Sequence, residues 1–272
     1  LKSIARTMIA KKNRLKIRKL AEYIALQFDE KITPLEKIVA DENLDVFYDN
    51  YESNTFDGMT IYDNGKFYIH INTYNGNRAD TDRGRFTLAH ELGHYFIDTH
   101  RIGLKNGLLE PHPSLTNKAQ YFSIEREADY FAACLLMPEE RFRKDIGNKK
   151  FGIEVIDYLR AEYKISRTAC ALRFADIGNY PLLIVYAENN IIRWSYSSED
   201  FPFKWMINDK IVPRNTVMGD YFNNNHVAEV FRTEQVWAID CFKYVKDEDL
   251  QRKFYEHCIT HKNSALSLFW ED

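Results

Sequence analysis

Apolar residues recur along this chain at two spacings, and the changes between them divide it into elements. Ile17, Leu20, Ala21, Ile24 and Phe28 follow a helical period, which predicts an amphipathic helix near the N-terminus. Thr33-Pro34-Leu35-Glu36 reads as a second helix start, with Thr33 as N-cap, Pro34 in the first helical position and Glu36 as capping-box partner. The period then drops to two in VFYDNY, GMTIYD and KFYIHIN (46–51, 58–63 and 66–72). Asn64-Gly65 lies between the last two runs and predicts a tight hairpin, because both residues tolerate positive φ. Phe67, Ile69 and Ile71 then share one face of a small antiparallel sheet, and His70 points away as a surface histidine. Helical spacing returns from Arg83 to Thr99 and again over 118–137, where Pro138 stops it. A loop at 103–116, punctuated by Gly107, Pro111 and Pro113, separates these helices. Two short helices fit 152–163 and 166–175. After Pro181 the runs LLIVYA, NIIRWSY, AEVFRTEQVWAIDCF and SALSLFW are strand-like, which places a boundary near 178–181.

Composition narrows the setting. The 272 residues are 45% hydrophobic and carry a net charge of −3, which is globular and sets up no overall field for nucleic acid or anionic membrane. No apolar run approaches the ~20 residues of a membrane span, and the N-terminus lacks the pattern of a secretory signal. Cys134, Cys170, Cys241 and Cys258 form no C-x-x-C pair, which suits a reducing compartment. A soluble, cytoplasmic protein is the expectation. The chain starts at Leu1 rather than Met, which leaves room for native residues ahead of it. Residues 2–19 hold eight Lys or Arg and no acid, read as the solvated face of the first helix.

The chemistry concentrates in FTLAHELGHYF, residues 86–96. On a helix His90 and His94 stand one turn apart on one face and can converge on one ion. Glu91 lies about 100° around the helix from His90, placed to act on water beside the metal rather than to ligate. This is the H-E-x-x-H arrangement of zinc peptidases, with Glu91 as general base. Leu88, Ala89, Leu92, Tyr95, Phe96 and Ile97 make the surroundings apolar, where unpaired charges are costly. Gly93 is read as removing bulk beside the metal.

A catalytic zinc uses three protein ligands. His100 is one candidate for the third, yet peptidases with a third histidine at this spacing have Gly where this chain has Ile97, and a straight helix would carry His100 away. The other candidate is the helix SIEREADYFAACLLMP, in which Glu125 and Asp129 share a face at i, i+4. Its small residues Ala128, Ala132 and Ala133 predict close packing, so that Glu125 ligates and Asp129 orients a histidine ring. Glu127 lies about 200° from Glu125 and cannot do the same job.

RFTLAHELGHYF followed by EREADYFAACLLMP resembles the ImmA/IrrE-like zinc metallopeptidases, and the resemblance extends upstream through DGMTIYDNGKFYIHIN to the amphipathic helix at 14–28. It implies His90, His94 and Glu125 as zinc ligands, Glu91 as catalytic base, and a regulatory protein such as a transcriptional repressor as substrate. Strand 66–72 is expected to serve as the edge along which that substrate lies extended. YKISRTACALRFADIG is similar to the helix-turn-helix-like unit of some members, although Lys164, Arg167 and Arg173 are balanced by Glu154, Asp157, Glu162 and Asp176. Direct nucleic-acid contact is therefore not the favoured role.

The expected architecture is α+β. A zincin-like metallopeptidase domain, built from a small antiparallel sheet and metal-binding helices, spans 1–148; a helical unit spans 149–179; a mixed, strand-rich domain of unknown role spans 180–272. The competing reading is a regulatory protein- or DNA-binding module whose zinc site is structural or vestigial. Oxyanion donors are left open among Tyr74, Tyr95, His100, His112 and Tyr121.

Overall fold

The computed structural model describes residues 9–52, 55–109, 121–208, 210–223 and 231–271. His112, Pro111, Pro113 and the expected start of a helix at 118 lie outside them. The elements run α1 (Lys11–Ala25), α2 (Leu35–Asp41), β1 (Asp45–Asp49), β2 (Gly58–Asp63), β3 (Lys66–Asn72), α3 (Asp82–Phe96), α4 (Asp98–Lys105), α5 (Tyr121–Leu136) and α6 (Glu139–Ile146). They continue with α7 (Ile153–Tyr163), α8 (Arg167–Ile177), β4 (Leu183–Glu188), β5 (Ile191–Ser197), α9 (Val217–Asn223), β6 (Phe231–Trp237), α10 (Ala238–Cys241), β7 (Lys253–His261) and β8 (Ser264–Trp270). The architecture is α+β. Two compact units divide the chain, Leu1–Asp145 with Leu159–Ser166, and Ile146–Tyr158 with Arg167–Asp272.

In the first unit β2 and β3 form the hairpin predicted from Asn64-Gly65, both of which have positive φ (46° and 86°). β1 joins β3 in parallel, so the sheet is mixed, in the order β1-β3-β2. This corrects one expectation. β3 is the central strand with partners on both sides, so its backbone cannot pair with a substrate; the edges belong to β1 and β2. Phe67, Ile69 and Ile71 of β3 are buried, and α3 packs on this face and on β2. α5 packs against both α3 and α1, and Ala21 and Ala25 in α1 and Ala128 and Ala132 in α5 are fully buried. Small side chains permit such close approach.

Thr33 does not cap α2. The helix begins at Leu35 with no side-chain cap, and the buried Thr33 hydroxyl donates to the Leu135 carbonyl at 2.7 Å. Burial made the long-range bond the better use of that hydroxyl.

The second unit holds a five-stranded antiparallel sheet, β5-β4-β8-β7-β6. Its strand β7 is absent from the sequence expectation, because Glu256 and His257 interrupt the apolar run. Leu183, Val185, Phe254, Cys258, Ala265 and Phe269 bury one face against Phe201, Phe203, Met218 and Phe242. All four cysteines are free and buried. Arg167 is bound to Asp157 at 2.7 Å, and the buried Arg173 to Asp176 at 3.1 Å. Two of the cations that a DNA-reading helix would offer are therefore engaged. Among the described residues no helix is long and apolar enough to cross a membrane.

Glu256 is fully buried on β7. It accepts from Val217 N (2.6 Å), Met218 N (3.1 Å) and Ser267 Oγ (2.5 Å). Burial pushes its pKa up to about 7, against the pull of those donors. Between the ordinary value of 4.5 and about 7 the folded state holds a proton that the unfolded state has released, so this residue makes stability fall as pH rises. Glu256→Gln, which carries no charge, should flatten that fall. Both carboxyl oxygens accept from backbone N–H groups, so the amide loses one of these bonds and the variant should melt lower at pH 4.5; the gap should narrow as pH rises toward 7, and parallel profiles would count against the assignment.

Candidate metal centre

Thr81 begins α3 by accepting from Gly84 N through its side chain at 3.0 Å. From there every residue from Thr87 to His94 is buried, so the helix runs through the core with polar groups inside it. His90 and His94 stand one turn apart and meet edge to face, their ring centroids 4.9 Å from each other and their Nε2 atoms 3.1 Å apart.

α5 crosses close by because of Gly93. A Cβ there would lie 3.1 Å from Ala128 Cα and 3.2 Å from the Phe131 ring. The missing side chain thus serves helix packing, not the space beside the metal as the sequence suggested. This approach brings Glu125, one turn before Ala128, onto both histidines: Oε2 is 3.3 Å from His90 Nε2, and Oε1 is 3.3 Å from His94 Nε2. One ligand atom from each of the three lies within 4.8 Å of the others, and the group can hold a metal ion. Asp129, one turn beyond Glu125 and largely exposed, takes the other side of His90, with Nδ1 donating to Oδ1 at 2.9 Å. That bond turns the Nε2 of His90 toward the centre.

Burial opposes a charge on His90, but Asp129 and Glu125 outweigh it and carry its pKa well above the ordinary value. At His94 burial prevails over Glu125, and the pKa falls to about 3. His94 is a neutral imidazole with a lone pair to offer.

Glu91 is 1% exposed and points to the sheet. Thr60 Oγ1 on β2 donates to its Oε2 at 2.7 Å. A Cβ at Gly58 would fall 2.5 Å from Glu91 Oε1 and 2.8 Å from its Cγ. Gly58 and Thr60 escaped the sequence reading. A glycine opening a strand run was the one available signal, since it often marks a close approach.

His100 and Ile97 depart from expectation. The helix does not run straight: Ile97 ends α3 in an extended conformation (ψ 113°), and α4 starts at Asp98. His100 is consequently 1% exposed, with its ring 5.2 Å from that of His94. It does not join the three converging groups. Its Nε2 faces Glu127 Oε2 at 3.2 Å, and Glu127 also accepts from Asn13. Of the open oxyanion candidates, Tyr95 donates to Glu42 at 2.8 Å and Tyr74 is exposed.

The donor set, two imidazole nitrogens and one carboxylate oxygen, is that of a catalytic zinc with a free coordination position. An all-oxygen ion such as calcium or magnesium would find too few hard ligands. Two histidines one turn apart on a buried helix, completed by a carboxylate from a second helix above a small sheet, define a metallopeptidase-like fold. Residues 41–175 match the model of the IrrE N-terminal-like domain, Peptidase_M78. Through this domain the chain belongs to the ImmA/IrrE-like family. Among solved structures, a Mycobacterium tuberculosis transcriptional regulator is similar, with a TM-score of 0.62 and 15% identity over 98% of this chain and 79% of its own. That likeness concerns the fold. No curated protein matches the chain.

Proposed function

We propose that this protein is a zinc-dependent metalloendopeptidase that cleaves a regulatory protein, with a transcriptional repressor as the substrate class. The observation that carries the reading is the convergence of His90, His94 and Glu125 beside a buried Glu91. A structural site is closed by four protein ligands and needs no adjacent carboxylate. The repressor assignment draws on the family resemblance and on the transcriptional regulator to which the fold is similar.

In this reading His90, His94 and Glu125 hold zinc, and Asp129 fixes the tautomer and orientation of His90. Zinc, when bound, supplies Lewis-acid chemistry that polarises a peptide carbonyl and makes water more acidic. Glu91 takes a proton from the attacking water and returns it to the leaving amine. The substrate segment lies extended along the outer edge of β2, the edge strand that borders Glu91, and pairs with it by main-chain hydrogen bonds.

A regulatory module with a structural metal ion is the second reading, favoured by the regulator's similarity over nearly the whole chain. Proteolysis separates the two. Purified repressors of the same host, incubated with the metal-loaded protein, should yield discrete fragments by mass spectrometry. A chelator should stop the cleavage and added zinc restore it. Intact repressors throughout, with metal bound stoichiometrically, would leave the binding module as the better reading.

A further inference from the structure

We infer that Gly58 and Thr60 of β2 form the seat of Glu91, with Thr60 as the residue that positions the base. This rests on the peptidase reading only in calling Glu91 a base; the seat itself rests on geometry. A carboxylate buried to this degree requires a donor. Thr60 supplies one across the helix–sheet interface: its hydroxyl lies 2.7 Å from Glu91 Oε2 and 3.1 Å from the Glu91 carbonyl oxygen, the side-chain contact being the shorter. As a β-branched residue in a strand, Thr60 has a stiff χ1, so its hydroxyl is aimed before Glu91 arrives.

Gly58 acts by sterics. Positions 58 and 60 alternate onto the same buried face of β2. At 58 any side chain would occupy the volume of the Glu91 carboxylate and would also meet Thr87 Cγ2 at 2.8 Å. The strand thus offers an opening and a donor two residues apart. The same strand is the edge proposed for the substrate, so one rigid element sets both the base and the scissile bond.

The test compares Thr60→Val, which keeps the shape and loses the hydroxyl, with Thr60→Ser, which keeps the hydroxyl. Loss of a hydrogen bond to a charged group corresponds to roughly ten- to hundredfold. Thr60→Val should lower kcat on the cleaved repressor by about that factor with KM unchanged, while metal stoichiometry and affinity stay at the wild-type level. Thr60→Ser should recover most of the loss. A double-mutant cycle in denaturant provides a readout free of activity. Thr60→Val should lower the folding constant about tenfold or more beside Glu91, and much less in a Glu91→Ala background. Equal losses in both backgrounds, or a Thr60→Val protein with wild-type kcat, would overturn the inference. If no repressor is cleaved at all, the peptidase reading fails while the cycle still decides whether Thr60 holds Glu91.

Discussion

Glu125→Ala is expected to strip the metal from this protein while leaving the fold intact. Alanine is the best helix former, and the packing of α5 rests on Ala128, Phe131, Ala132 and Leu135, all fully buried and none of them altered. What disappears is the carboxylate that faces both His90 and His94 at 3.3 Å. Loss of an outer partner to a metal ligand typically costs about 10–100-fold in affinity, and loss of a ligand should exceed that. Dialysis followed by elemental analysis should therefore find close to one zinc per chain in the wild type and little in the variant, with circular dichroism unchanged. Full retention of zinc would move the third ligand elsewhere. The geometry speaks against both alternatives, since Glu127 is engaged by His100 and Asn13, and the His100 Nε2 faces Glu127.

Glu91→Gln should have the opposite signature, with metal kept and cleavage lost. Glutamine has nearly the same shape, and its carbonyl oxygen can still accept from Thr60 Oγ1, so neither the seat nor the three converging groups are disturbed. Only proton transfer is removed. General acid–base catalysis contributes typically 10²–10⁴-fold, and a drop of that order in kcat, at normal zinc content, is the expected result of a quenched time course on the cleaved repressor. A variant that cleaves at the wild-type rate with zinc bound would refute Glu91 as base.

The two substitutions separate the centre into a part that holds and a part that reacts. His90, His94 and Glu125 meet at one point, whereas Glu91, beside His90 in the chain, is held by Thr60 of β2 and is not one of the converging three. The 100° step between neighbours on a helix produces this division. Asp129 extends the holding part outward, because its bond to Nδ1 keeps the Nε2 of His90 directed inward.

Much of this is legible in the sequence alone. The 3.6-residue period put His90 and His94 on one face, and the same period put Glu125 and Asp129 on another helix face one turn apart. Asn64-Gly65 defined the hairpin because positive φ at two successive residues is a local requirement. Such features depend on neighbours within a turn or two, and sequence carries them directly.

Other features depend on which elements meet. That β3 is central follows from the parallel addition of β1, which no local pattern in VFYDNY encodes. The role of Gly93 depends on α5 crossing at that residue, and the role of Gly58 on α3 lying beneath β2. The break at Ile97 turned His100 inward to Glu127 because burying a polar ring demands a partner, and the partner came from a helix 27 residues away. By itself, then, the sequence determined the helix-borne histidines, the adjacent carboxylate and the hairpin, since backbone geometry repeats at short range. The tertiary structure alone decided which strand edge is free, which threonine seats Glu91 and which histidine stays outside the centre. Those outcomes are set by steric fit and hydrogen-bond satisfaction between segments far apart in the chain.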